Sequence, residues 1–337
     1  MAIPWGELSG RWPVGRLAGM ENQMRVGVLL PTGKAQWGAG TDPRRLIGFG
    51  VRAEELGFDS VWAGDTLLRP VADPLTTLSA IAARTERVGL GTAVLLPALR
   101  GAVQTARELA TVDLLSGGRL TVTVGAGFPG RSEREYALGG VPWAGRFGRL
   151  DDTVALWKHL WSEERPTAFH GKVLRLDDIP AGLAPYRPGG PPIWLGGFTP
   201  RALERTGRLY DGWLPYPPDP ADYAPGLAAV RAASLAAGRE ERAVSPGVFV
   251  TVLLTDGAAD ARQALEAYCR ASYQLPLEVV ETIQALVAGT EEQVLAGLRR
   301  YLDAGASHLL VRIAGLDLQA QADQLERIAA LLPHLRG

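Results

Sequence analysis

The chain has 337 residues, 47% of them hydrophobic and 21% charged, with 35 basic side chains against 36 acidic ones and a net charge of −1. Such a composition can bury a large core, and the balanced charge argues against a nucleic-acid or membrane surface as the main partner. The single cysteine, Cys269, rules out an internal disulfide, which points to a reducing, cytoplasmic setting, and no apolar run approaches the roughly 20 residues that span a bilayer.

Residues 1–23 (MAIPWGELSGRWPVGRLAGMENQ) lack the basic start and apolar core of a signal peptide. Their Gly, Pro and scattered Trp predict an irregular N-terminal extension, with Met20 and Met24 as alternative start positions. From Met24 the chain alternates short apolar runs with helical patterns. Residues 25–31 (RVGVLLP) read as a buried strand. Asp42-Pro43 opens a helix whose apolar stripe is Leu46, Phe49, Ala53 and Leu56, and Gly57 closes it. Residues 59–64 are the second strand, Asp73-Pro74 repeats the helix-start chemistry, and residues 87–96 are the third strand.

Val103, Ala106, Ala110 and Leu114 mark the next helix, stopped by Gly117-Gly118, and residues 119–125 form the fourth strand. An irregular stretch, a helix over 146–161 and a small hairpin over 169–176 follow. Residues 192–197, 211–214, 247–254 and 307–313 complete a set of eight strands. Extra material over 273–288 precedes a helix near 291–304, and the last helix covers about 318–332. Strand–helix alternation predicts a parallel sheet covered by helices. The first strand is not followed by a glycine-rich dinucleotide loop, which favours closure over an open doubly wound sheet. The predicted fold is thus a single (β/α)8 TIM barrel over 24–337, with insertion segments after strands four and seven.

A barrel of this kind places its chemistry at the C-terminal strand ends. LGGFTP at 195–200 ends a strand in two glycines, with Thr199 as a helix cap and Pro200 at the first helical position. That turn is either a routine βα connection or a phosphate cradle of free N–H groups. GAGF at 125–128 either admits a flat ring or relieves crowding, and completes no dinucleotide fingerprint. The histidines, His159, His170, His308 and His334, show no metal-ligand spacing. There is no GxSxG elbow, and Cys269 sits in a helical pattern. Phosphate-ready turns without a nucleophile point to a cofactor that carries the chemistry.

Residues 57–70 (GFDSVWAGDTLLRP), 73–128 and 191–215 together resemble the luciferase-like monooxygenase superfamily, most closely its F420-dependent oxidoreductase group. The resemblance implies a barrel holding the deazaflavin F420, or alternatively FMN, at the strand C-termini. It implies a bulge in strand three with a non-proline cis peptide at Ala93–Val94. Thr92, Ala93 and Val94 would support the ring, with Gly125, Ala126 and Gly127 beside it, and Gly196, Gly197, Phe198 and Thr199 would bind phosphate. It further implies a homodimer, and a separate F420 or flavin reductase as a partner.

Two positions depart from the family pattern. Thr66 stands where relatives often carry histidine after Asp65, and Ala126 stands where the bacterial luciferase pattern has an arginine for FMN phosphate. The first favours reduction of a C=C or C=N bond over alcohol oxidation; the second favours F420 over FMN. Asp65, Thr66 and Glu135 are the catalytic candidates, and Trp37, Trp213 and Arg312 the candidates for binding a small organic substrate. Two rival readings are a two-component FMN monooxygenase and a non-catalytic flavin-binding barrel.

Overall fold

Eleven strands organise the described residues, 24–37, 42–164 and 167–337, of a computed structural model: β1 Arg25–Leu29, β2 Ser60–Ala63, β3 Gly89–Leu95, β4 Leu120–Val124, β5 Phe169–His170, β6 Arg175–Leu176, β7 Ile193–Leu195, β8 Gly212–Trp213, β9 Ser245–Leu254, β10 Ala285–Gly289 and β11 His308–Ile313. The expected N-terminal extension, 1–23, lies outside the described residues. Nine strands pair in the order β10-β9-β11-β1-β2-β3-β4-β7-β8, and β8 also pairs with β9. Leaving out β10, this closes a parallel ring of eight, the expected (β/α)8 barrel. β5 and β6 form the separate antiparallel hairpin expected near residue 170.

Two differences between sequence and structure concern the elements around the barrel. The helix predicted from Asp42-Pro43 begins at Arg45. Arg45 N and Leu46 N bond back three residues, to Asp42 O and Pro43 O, and Asp42 Oδ1 takes Arg44 N at 2.9 Å. A tight turn thus precedes the helix proper. The insertion before residue 288 holds the unexpected strand β10. It pairs with Val250–Leu254 of β9 while β11 pairs with Gly247–Val252. Because those registers overlap, β10 lies on β9's other edge, the edge where the two-residue β8 reaches only Ser245 and Pro246.

The barrel floor is built from two indoles and the glycines that admit them. Trp62 and Trp194 lie 5.7 Å apart, and each meets the His308 ring edge-on at 5.4 Å. A Cβ on Gly27 or Gly91 would overlap Trp62, and one on Gly212 would overlap Trp194. Leu214 and Leu310 complete this buried cluster, with Leu29, Ala93 and Phe249 packed on it. A second, larger core of Val, Leu and Ile fills the space between barrel and helices. The interior is therefore solid below, as close packing requires, and ligands are confined to the mouth.

Candidate active site

Small residues line one arc of the mouth. β3 breaks register with β4 between Thr92 and Leu95, and the Ala93–Val94 peptide within this bulge is cis. Val94 is wedged between two neighbouring strand ends. A Cβ on Gly125 would stand 2.9 Å from one Val94 methyl, and a Cβ on Gly196 would stand 3.1 Å from the other. Thr92 lies deeper: it is fully buried, and its hydroxyl donates to Thr123 O at 2.8 Å, tying β3 to β4. Ala126 is buried and its carbonyl accepts from Tyr136 Oη at 3.1 Å. Gly127 has φ +81°, and a side chain there would strike Ser132, whose hydroxyl accepts from Phe128 N at 2.9 Å.

The turn after β7 is exposed and poor in internal bonds. Gly197 has φ +129°, a conformation that favours glycine. Thr199 caps the ten-residue helix Pro200–Leu209 by accepting from Ala202 N, and Pro200 occupies its first position. The N–H groups of Gly197, Phe198, Thr199 and Arg201 find no acceptor among the described residues. A helix N-terminus with four such donors has the geometry and the dipole that suit an anion.

The three catalytic candidates separate into two groups. Asp65 is held by Arg100, with Nη2 at 3.1 Å and Nε at 3.2 Å, and also accepts from Leu96 N. Arg100 reaches on to Asp73 at 2.7 Å, so Asp65 ties the loops after β2 and β3 together. Thr66 instead donates to Glu135, a buried carboxylate on the short helix Glu133–Leu138 that also accepts from Leu67 N at 2.9 Å. A hydroxyl at the mouth backed by a buried carboxylate is an arrangement able to relay a proton.

The substrate candidates diverge too. Trp37, half-buried, donates through Nε1 to Pro31 O at 2.7 Å on the loop after β1. Trp213 corrects the expectation of a cleft-lining aromatic: it is fully buried, stacked between Phe198 at 6.0 Å and Tyr223 at 5.0 Å, with its Nε1 on Gly197 O. The physical reason is strand alternation. Gly212 faces the interior against Trp194, so its neighbour Trp213 faces the helices. Its role is to support the β7 turn from behind. Arg312 lies on β11 at the interior face, with Nη1 2.6 Å from Tyr273 Oη. Tyr273 was not among the expected site residues; it closes the helix Ala258–Tyr273, in the insertion that periodicity read only as extra material.

Among the described residues, no cluster of three or more His, Cys, Asp or Glu could hold a metal ion. No described helix is long and apolar enough to cross a membrane.

Comparison with known proteins agrees with this geometry. The family model described as luciferase-like monooxygenase matches residues 24–308. An F420-dependent glucose-6-phosphate dehydrogenase of Kineococcus radiotolerans is 31% identical over 87% of this chain and 94% of its own. A phthiodiolone/phenolphthiodiolone dimycocerosates ketoreductase of Mycobacterium kansasii is 28% identical over 85% of this chain and 95% of its own. Among solved structures, an F420-dependent secondary alcohol dehydrogenase in complex with an F420–acetone adduct superposes with a TM-score of 0.77 at 19% identity, covering 94% of this chain and all of that one. The chain belongs to the luciferase-like monooxygenase family.

Proposed function

We propose that this protein is an F420-dependent oxidoreductase that passes a hydride between the deazaflavin and the carbonyl or alcohol carbon of a small organic substrate. The observation that carries the reading is the mouth itself. A side-chain-poor arc over Ala93, Val94, Gly125 and Gly196 runs into a turn of free N–H donors at Gly197–Thr199. These residues fit a flat ring with a phosphate-bearing tail. The 31% identical F420-dependent relative supports the deazaflavin over FMN, as does Ala126.

When bound, F420 supplies or accepts the hydride, chemistry that side chains lack. The chain's own residues then have three tasks. Val94, held between Gly125 and Gly196, gives the arc a fixed surface. The N–H groups at 197–199 and Arg201 hold the anionic tail. Thr66 hands a proton to or from the substrate oxygen, with Glu135 behind it as the carboxylate that takes or returns it. Asp65 and Arg100 fix the loop from which Thr66 projects.

The preference for a C=C or C=N acceptor, drawn from the missing histidine, loses its ground once Glu135 stands behind Thr66. The relatives named a dehydrogenase and a ketoreductase favour carbonyl–alcohol exchange. The test is parallel titration of the purified protein with F420 and FMN, followed by cofactor fluorescence. F420 should bind more tightly; tight FMN binding with no F420 binding would sink the proposal.

A further inference from the structure

Three arginines at the mouth have no acidic partner among the described residues. Arg312 is an interior-facing residue of β11, because Leu310, two residues before it, belongs to the floor cluster. Its guanidinium lies 5.1 Å from the Tyr273 ring centre and 5.5 Å from that of Tyr268. Nη1 donates to Tyr273 Oη, while Nε is buried without a partner among the described residues. One more buried polar atom beside it lacks a partner among the described residues: the hydroxyl of Thr251, which pairs with Arg312 in register on β9.

Arg69, from the loop after β2, donates to Ser272 O at 3.1 Å, and Arg131, from the loop after β4, donates to Tyr273 O at 2.8 Å. Both therefore converge on the segment that covers Arg312. Burial, and next the positive charge of Arg312, lower the pKa of Arg69. None of the three arginines has an ion-pair partner among the described residues, although Arg100 nearby has two.

A cationic cluster with orphaned donors and no carboxylate is costly unless a ligand supplies the charge. The β7 turn is not that ligand's place, since β11 stands three strands from β7 around the ring. We infer that Arg312, with Arg69 and Arg131 at the rim, forms a second anion site that holds a carboxylate or phosphate group of the substrate. The planar guanidinium offers its Nε edge as a two-pronged donor, with the Thr251 and Tyr268 hydroxyls as neighbours. The inference names the substrate class of the proposed reaction, small anionic carbonyl or alcohol compounds, and rests on that reading.

The test is calorimetric titration with benzoate and with inorganic phosphate, benzamide serving as the neutral control, on the protein free of F420 and saturated with it. Both anions should bind and benzamide should not. Arg312→Met should weaken the anions about tenfold or more, and Arg312→Lys should weaken them as well by losing the fork. Arg69→Gln with Arg131→Gln gives the same readout from rim positions without emptying the barrel interior. Absence of anion binding, or equal binding by all variants, overturns the inference. So does a result in which Arg312→Met weakens F420 binding but leaves benzoate untouched, because the anion would then be the cofactor's own tail. The F420-free arm stays readable even if F420 does not bind, so failure of the proposed function and failure of this site are separable.

Discussion

Lowering the pH from 7.5 to 5 should cost this protein about 2 kcal/mol of stability through His308 alone. His308 lies on the barrel floor, edge-on to both indoles, with Nε2 3.1 Å from Ser60 Oγ. Burial, aided by the charge of Arg25, pushes its pKa from 6.5 down to about 3. In the unfolded chain the imidazole takes up a proton below pH 6.5, whereas in the barrel it stays neutral to about pH 3. The unfolded state therefore binds more protons across that window, and stability falls as pH falls through it. Each pH unit crossed costs about 1.4 kcal/mol, so the loss is about 2 kcal/mol at pH 5 and approaches about 5 kcal/mol near pH 3. Salt-bridged carboxylates also titrate in acid, so the measurement is a difference. Urea unfolding of wild type and of His308→Gln is compared at pH 7.5 and pH 5. The variant is expected to be less stable at neutral pH, because Ser60 and the indoles lose a fitted neighbour, but its acid loss should be about 2 kcal/mol smaller than the wild type's. Equal acid losses would refute the reasoning.

Three further outcomes follow from the mouth. Gly125→Ala should cost about 1–3 kcal/mol by overpacking, since both Val94 methyls already fill the available slots; Val94→Ala in the same chain should recover much of it in urea unfolding, and no recovery would mean the contact is not the cause. Arg100→Met strands the Asp65 carboxylate, whose side chain is only 9% exposed, and should cost about 3 kcal/mol; Asp65→Asn added to it should restore part of the loss in the same assay. Glu135→Gln and Thr66→Val should each lower kcat by about a hundredfold or more while F420 affinity, read by fluorescence, stays within a factor of about two; a parallel loss of affinity would show that the pair shapes the pocket instead of moving a proton.

Much of this was legible because it depends on local pattern. Proline-assisted helix starts and glycine stops, repeated between apolar runs, announce a parallel barrel, and Asp73 and Thr199 cap their helices as read. The cis bond at Ala93–Val94 was reachable only through family resemblance, since no local propensity marks it. Trp213 was misread through neglect of period two: with Gly212 facing inward, the next side chain must face outward. The Asp65–Arg100 pair, the Glu135 carboxylate behind Thr66 and the convergence of Arg69, Arg131 and Arg312 all join residues far apart in sequence, which meet only once the strands are paired side by side and leave no trace in spacing. The floor indoles show the same limit, for Gly27, Gly91 and Gly212 read as ordinary strand glycines until Trp62 and Trp194 occupy the space in front of them.

The division of the mouth into two arcs follows from that floor. With the interior filled to the level of Trp62, Trp194 and Leu310, a ligand can lie only on top of them. Moving round the ring from β2 through β3 and β4 to β7, the strand ends offer Gly64, Ala93, Gly125 and Gly196, positions with almost no side-chain bulk. On the opposite side, β9 and β11 offer Thr251 and Arg312, with the Tyr268 and Tyr273 rings of the helix Ala258–Tyr273 beside Arg312. On the proposed function, a flat cofactor and an anionic substrate would not compete for space: the first would take the arc without side chains, the second the arc with unpaired donors. The insertion after β9 matters for the same reason. By placing Tyr273 between Arg312 and the loops carrying Arg69 and Arg131, it fixes how far the second arc can open.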